Sequence, residues 1–181
     1  MIEYKYSTFW PRFWAGVVDG LIFWPLDWVY QWVFPAVSIP SRIVVFVVYA
    51  SALSLYNIWM VARFGQTLGK MVCKVVVLDV SEAPLRFHQA VLREIFNILG
   101  LAINLMVVIP RIVRGVDVSA DLKLTPVDWA LAFLGLGLFG VELITMLTND
   151  KRRALHDFIA GTVVVRKDEL VALQARDVSA S

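Results

Sequence analysis

Four long apolar runs alternate with short polar stretches along this chain, at about residues 11–34, 42–62, 88–110 and 127–148. A helix needs about 20 apolar residues to cross the core of a bilayer, and each run is long enough. Prolines punctuate the ends. Pro11 opens the first run at a favoured first helical position. Pro25, inside it, cannot donate to the Leu21 carbonyl, which predicts a kink. The Phe34–Pro35 pair ends that helix and Ile39-Pro40-Ser41 starts the next, so the first two runs form a tight hairpin. Pro110 closes the third run and Pro126 opens the fourth. The pattern predicts an all-α membrane protein, a four-helix transmembrane bundle. Two segments break it, FGQTLGKMVCKVVVLD and RALHDFIAGTVVVRKD. Each has a short amphipathic stretch, then a small residue, then three valines, then charge. Triple valine favours strand over helix. Val75-Val76-Val77 and Val163-Val164-Val165 therefore read as short strands able to pair, or as two extended segments on the membrane surface.

Composition agrees with the spans. The 181 residues are 59% hydrophobic, with seven Trp, and their mean hydropathy is +0.70. That is too apolar for a soluble domain of this size. A net charge of +2 gives no bulk attraction to nucleic acid. Cys73 is the single cysteine, so an intrachain disulfide and a cysteine-based metal site are both excluded. The amino terminus lacks the pattern of a cleaved signal, so the first run reads as a retained span. Four spans place both termini and the loop 63–87 on one side. That side holds twelve Lys and Arg, among them Lys5, Arg63, Lys74, Arg86, Lys151 and Arg176. The other holds Arg42, Arg111, Arg114 and Lys123, partly balanced by Asp117 and Asp121. The excess predicts cytoplasmic termini and a cytoplasmic central loop.

The chemistry lies in charges within the spans. A charge at membrane depth costs at least about 2.5 kcal/mol, so it persists only against protein or water. With a rise of about 1.5 Å per residue, Asp19, Asn57, Arg93, Asn97 and Glu142 all fall roughly 8–14 Å inside the cytoplasmic boundary. Arg93, Asn97, Gly100 and Asn104 share one stripe, as do Arg12 and Asp19. Two readings of this layer stay open. In one, polar contacts such as Arg93 with Asp19 or Glu142 hold the bundle together. In the other, a water-accessible cavity holds a surplus of acids over the one certain deep base, Arg93, and a carboxylate left unpaired there carries a proton near neutral pH. Asp27 either extends the path or sits at the outer interface. Gly65-Gln66-Thr67-Leu68-Gly69-Lys70 lacks the spacing of a phosphate loop, and His88 and His156 lack metal-ligand spacing. His156 and Asp157 form a candidate pH-sensitive pair. No nucleophile and base are placed together, so an enzyme is not expected, nor is a cofactor or metal.

Arg12, Asp19, the Gly-Gln-Thr-x-Gly-Lys run and Leu155-His156-Asp157-x-x-Ala-Gly-Thr together resemble the RDD family of bacterial membrane proteins. The family is named for an arginine and two aspartates, which here match Arg12, Asp19 and Asp157. The resemblance covers about residues 8–167; residues 168–181 read as a cytoplasmic tail. It implies a bacterial inner-membrane protein. It also implies, for some members, exchange of monovalent cations for protons, and for others a place in larger assemblies. It adds one idea about the tail. Asp157 lies on a short amphipathic helix at the membrane surface, within reach of Arg12, and the pair would act as a gate.

The residues thus give two functional expectations. One is a small monovalent cation/proton antiporter using Asp19 as principal carboxylate, Glu142 as its partner, Arg93 as internal cation, and Arg12 with Asp157 as gate. Its small size implies a homo-oligomer, through Gly135 and Gly140. The other is a non-transporting scaffold or assembly factor.

Overall fold

The computed structural model describes residues 5–115 and 125–170. The expectations for Asp117, Asp121, Lys123 and Arg176 fall outside these described residues, as does most of the tail. The chain is mostly helical. Helices α1 (Phe9–Ala36) and α2 (Ile39–Phe64) form the expected hairpin, joined by Val37 and Ser38 alone. A short helix α3 (Leu68–Val72), a strand β1 (Val75–Asp79), and helices α4 (Phe87–Arg93) and α5 (Ile95–Val113) follow. The chain then continues through α6 (Pro126–Thr148), the short α7 (Leu155–Ala160) and β2 (Thr162–Arg166).

Three helices, α2, α5 and α6, are long and apolar enough to cross a membrane. Helix α1 is longer still, at 28 residues, but it is not among those three and it carries Arg12, Asp19 and Asp27. Other boundaries differ from expectation. Helix α1 continues through Pro25 and Pro35 to Ala36, and α5 runs through Pro110 to Val113. Proline late in a helix loses a single backbone bond, and packing sustains the last turn. The run expected to be one span over 88–110 is broken at Glu94, which lies between α4 and α5. Arg93 therefore leaves the stripe of Asn97, Gly100 and Asn104 and turns into the protein on a separate short helix.

The two valine runs are strands, and they pair. β1 and β2 are antiparallel, with Val77 opposite Val164. Val75, Val77 and Val164 pack on Val61 and Ala90, while Val163 and Val165 pack with Tyr6 on the other face. Burial on both faces explains why β2 reads as an unbroken apolar run instead of an alternating one. Gly65 adopts φ +66 and Gly161 φ +63, so each ends a helix in the left-handed region just before the chain turns toward the sheet.

Helix α1 packs on α2 and α3, and α2 on α4 and α5. Helix α6 stands apart and packs chiefly on α7. Its near end is tied by Asp128, which accepts two 3.0 Å hydrogen bonds from the Arg111 guanidinium of α5. Between its ends α6 has no buried residue.

Candidate functional site

The site grows from two aspartates that join the helices to the layer built on the sheet. Asp19, buried in α1, accepts hydrogen bonds from the Tyr56 hydroxyl (3.0 Å), the Thr67 hydroxyl (2.6 Å) and the Gly69 amide (2.8 Å). These clamp the start of α3 against α1. Glycine is required at position 69, because a Cβ there would lie 2.1 Å from the Ala15 carbonyl oxygen. Gln66 donates to the Val75 carbonyl at 2.8 Å and ties the same turn to β1. The Gly-Gln-Thr-x-Gly-Lys run is thus a connector: Gly65 turns it, Gln66 fixes it to the sheet, and Thr67 and Gly69 fix it to α1. Lys70 is left over, its ammonium without a hydrogen-bond partner among the described residues.

Asp157 is fully buried. One carboxylate oxygen accepts from Arg12 Nη1 at 2.6 Å and from the Ala154 amide at 3.1 Å, which also caps α7. The other accepts from Arg93 Nη1 and from the Thr162 hydroxyl. Burial pushes this carboxyl up, but the adjoining guanidiniums of Arg12 and Arg93, with His156, outweigh it and hold it well below the usual carboxylate range. The expected contact between Arg12 and Asp157 is therefore present, and Arg93 joins it. The expected pairing of Arg93 with Asp19 or Glu142 is not: Arg93 is taken by Asp157, whose helix α7 packs directly on α4. Arg12 Nε and Nη2 are buried and have no hydrogen-bond partner among the described residues.

Beside this triad, His156 Nδ1 lies 2.6 Å from a Glu142 carboxylate oxygen, and its Nε2 lies 3.4 Å from Arg93 Nη2 and 3.5 Å from Asp157. With Nε2 accepting from Arg93, Nδ1 carries the proton and donates to Glu142. The imidazole thus links a carboxylate on α6 to the buried triad.

A cavity of about 650 Å³ opens between α1, α2 and α6. Arg12, Asp19, Asn57, Lys70, Arg93, Glu142 and His156 all line it. Asn97 does not. It is exposed on α5 and donates to Glu94 at 2.7 Å, because the break at Glu94 turns it away from Arg93. Asp157, Gln66, Thr67 and Gly69 lie behind the wall. Burial pulls the Lys70 ammonium down to about 8, with Arg93 adding to the effect. Asp27 joins the two hairpin helices instead, accepting from Tyr49 at 2.8 Å and from Gln31 at 2.9 Å. Among the described residues, no group of three His, Cys, Asp or Glu is arranged to hold a metal ion.

The model of the RDD family matches residues 6–161, nearly the whole described chain. The chain belongs to the RDD family. The three residues that the resemblance matches to the family's arginine and aspartates form the two clamps just described: Asp19 holds the connector, and Arg12 with Asp157 holds α7. The chain is also 28% identical over 103 residues to the uncharacterized membrane protein YteJ of Bacillus subtilis strain 168. That match covers 52% of this chain and 63% of the relative, so the chain spans less than two thirds of the relative's length. No solved structure matches. Family and helices together make this RDD protein an integral, multi-pass membrane protein resident in a lipid bilayer.

Sequence reasoning missed the Glu142–His156 contact and the second guanidinium partner of Asp157, Arg93. A signal for the second was present: Leu-His-Asp places a carboxylate at the third position of a short helix, and Arg93 is a base with no local partner.

Proposed function

We propose that this RDD protein is a small proton-coupled transporter for monovalent cations, with four spans and both termini on the cytoplasmic side. In this reading α1 is the fourth span. Its Asp19 and Asp27 accept hydrogen bonds from the neighbouring loop and helix, which lowers the cost of placing them in the membrane. One observation carries the proposal: the cavity holds an ionisable Glu142–His156 pair in contact with a buried charge cluster. An imidazole carries a proton on one ring nitrogen or on both. Protonation at Nε2 would set an N–H against the Arg93 guanidinium and toward Asp157, so the state of the imidazole is felt by the contact that holds α7. Glu142 takes the role of principal carboxylate expected of Asp19, because Asp19 already has three donors. Arg12 and Asp157 retain the gate role, as the joint between α1 and α7. The apolar, unburied length of α6, with Gly135 and Gly140 open, supports a homo-oligomer in a bacterial inner membrane. No enzymatic chemistry or cofactor enters this reading.

Protein in closed liposomes with an internal pH dye is expected to move protons when a sodium or potassium gradient is imposed between pH 6 and 9. Glu142→Gln should abolish this flux without loss of folded protein. Absence of cation-driven flux in the wild type across that range would reject transport. The second reading is a non-transporting scaffold. It is favoured by Asp19, whose bonds serve only to join α1 to the connector and sheet.

A further inference from the structure

The basic end of the cavity has cationic N–H donors without a hydrogen-bond partner among the described residues. Arg12 donates one Nη1 bond to Asp157, while its Nε and Nη2 have no such partner although they are buried. Lys70 reaches the same cavity from α3, and its ammonium makes no hydrogen bond among the described residues. Buried donors left unpaired are costly, most of all when they are charged. The buried Arg12 donors and the half-buried Lys70 ammonium line the same cavity and together offer two cationic partners to an anion. Asp19 and Asp157 do not serve as that anion, since both are saturated by other donors. The wall also has an aromatic and aliphatic stretch, formed by Trp10 and Phe13 on α1 and by Phe139 and Met146 on α6. Trp10 and Phe13 are also more than half exposed, so this side of the cavity continues onto the surface that faces lipid.

We propose that the cavity binds a phosphate-type oxyanion, held by Arg12 Nε and Nη2 and by the Lys70 ammonium, and that its source is the headgroup of an anionic phospholipid. A guanidinium offers paired N–H donors in the geometry of a phosphate edge, and a lysine adds a point charge. The aromatic wall takes the glycerol and the start of the acyl chains, as amphipathic rings at headgroup level do. A volume of about 650 Å³ admits a headgroup but not two full acyl chains, so the tails leave through the gap between α1 and α6. The site goes beyond the transport reading. It concerns the Arg12–Lys70 end of the cavity, not the Glu142–His156 end, and binding is measured without any gradient.

The test uses the full chain in a neutral maltoside detergent. Titrations with dihexanoyl phosphatidylglycerol, dihexanoyl phosphatidylcholine and inorganic phosphate are followed by tryptophan fluorescence, to which Trp10 reports directly. Phosphatidylglycerol is expected to bind saturably and more tightly than phosphatidylcholine of equal chain length. Lys70→Gln should weaken it roughly tenfold, the size of one lost charge-assisted bond. Lys70 makes no hydrogen bond among the described residues, so this variant is expected to keep its fold, which a circular dichroism spectrum checks. Arg12→Lys, which can still pair with Asp157 but lacks the guanidinium Nε and Nη2, should weaken binding similarly. If inorganic phosphate binds as tightly and is equally sensitive to Lys70→Gln, the oxyanion site stands and the lipid source is overturned. If neither phosphate nor phosphatidylglycerol binds, or if Lys70→Gln changes nothing, the site itself is overturned.

Discussion

Asp157 is the residue on which most of the others depend. It has no exposed surface and two guanidinium partners, so replacing it leaves two buried cations facing each other. Replacing Arg12 leaves Asp157 still paired with Arg93. The losses should therefore be unequal. Asp157→Ala is expected to cost about 3–5 kcal/mol, the usual range for breaking a buried pair. Arg12→Ala should cost clearly less, and the double variant no more than Asp157→Ala alone. Thermal unfolding in detergent measures the cycle; equal and additive losses would mean that the residues are uncoupled. The pH dependence has a definite sign. The folded carboxyl is held below its unfolded value of about 3.9. Its contribution is complete above that value and is lost as pH falls through the folded one. The stability difference between wild type and Asp157→Asn should thus shrink as pH falls below about 4.

At the scale of elements, the connector between α2 and β1 decides how the sheet layer sits on the helices. Its fit is steric as well as polar. Gly69 lies against the Ala15 carbonyl, whereas Gly100 on α5 has nothing within 4 Å of an added Cβ. Gly69→Ala should destabilise by roughly 3 kcal/mol, at the upper end of overpacking costs, because the obstacle is backbone. Gly100→Ala should be neutral or slightly stabilising, as alanine is the better helix former. Equal melting temperatures for the two variants would contradict the clamp. The contrast also shows what can be read from a chain. The valine runs announced their strands through residue type, and Val75–Asp79 does pair with Thr162–Arg166. The break at Glu94 was hidden, because the residues on both sides are apolar and helix-compatible. It follows from packing: Arg93 must reach Asp157 while α5 continues along α2, and one straight helix does not do both. Apolar periodicity also fixed the hairpin of α1 and α2, but not their ends, where prolines were tolerated.

Over the whole molecule, charges that looked like a surplus turn out to be divided among three jobs. Asp19 and Asp157 hold the sheet layer to the helices, Asp27 and Asp128 tie helix to helix, and Glu142 with His156 faces the cavity. Of the five groups that helix rise puts at one level, Asp19, Asn57, Arg93 and Glu142 line one cavity, whereas Asn97 does not. Their partners were not legible in the sequence, since those come from α3 and α7, whose approach depends on the sheet. Helix α6 is anchored near Asp128 and near Glu142 and leaves a gap between, and that gap makes the cavity.

Accessibility of single cysteines tests this cavity most directly. In a Cys73→Ser background, one cysteine at a time is placed at Asn57, at Glu142, and at Val44, which is exposed on α2 away from the cavity. A charged, water-soluble thiol reagent is applied to sealed membranes from each side. Positions 57 and 142 are expected to react from the cytoplasmic side and to stay silent from outside, while position 44 reacts from neither. If 57 and 142 prove as inert as 44 from both sides, water does not reach them, and the cavity proposed to be the working part of this protein is closed.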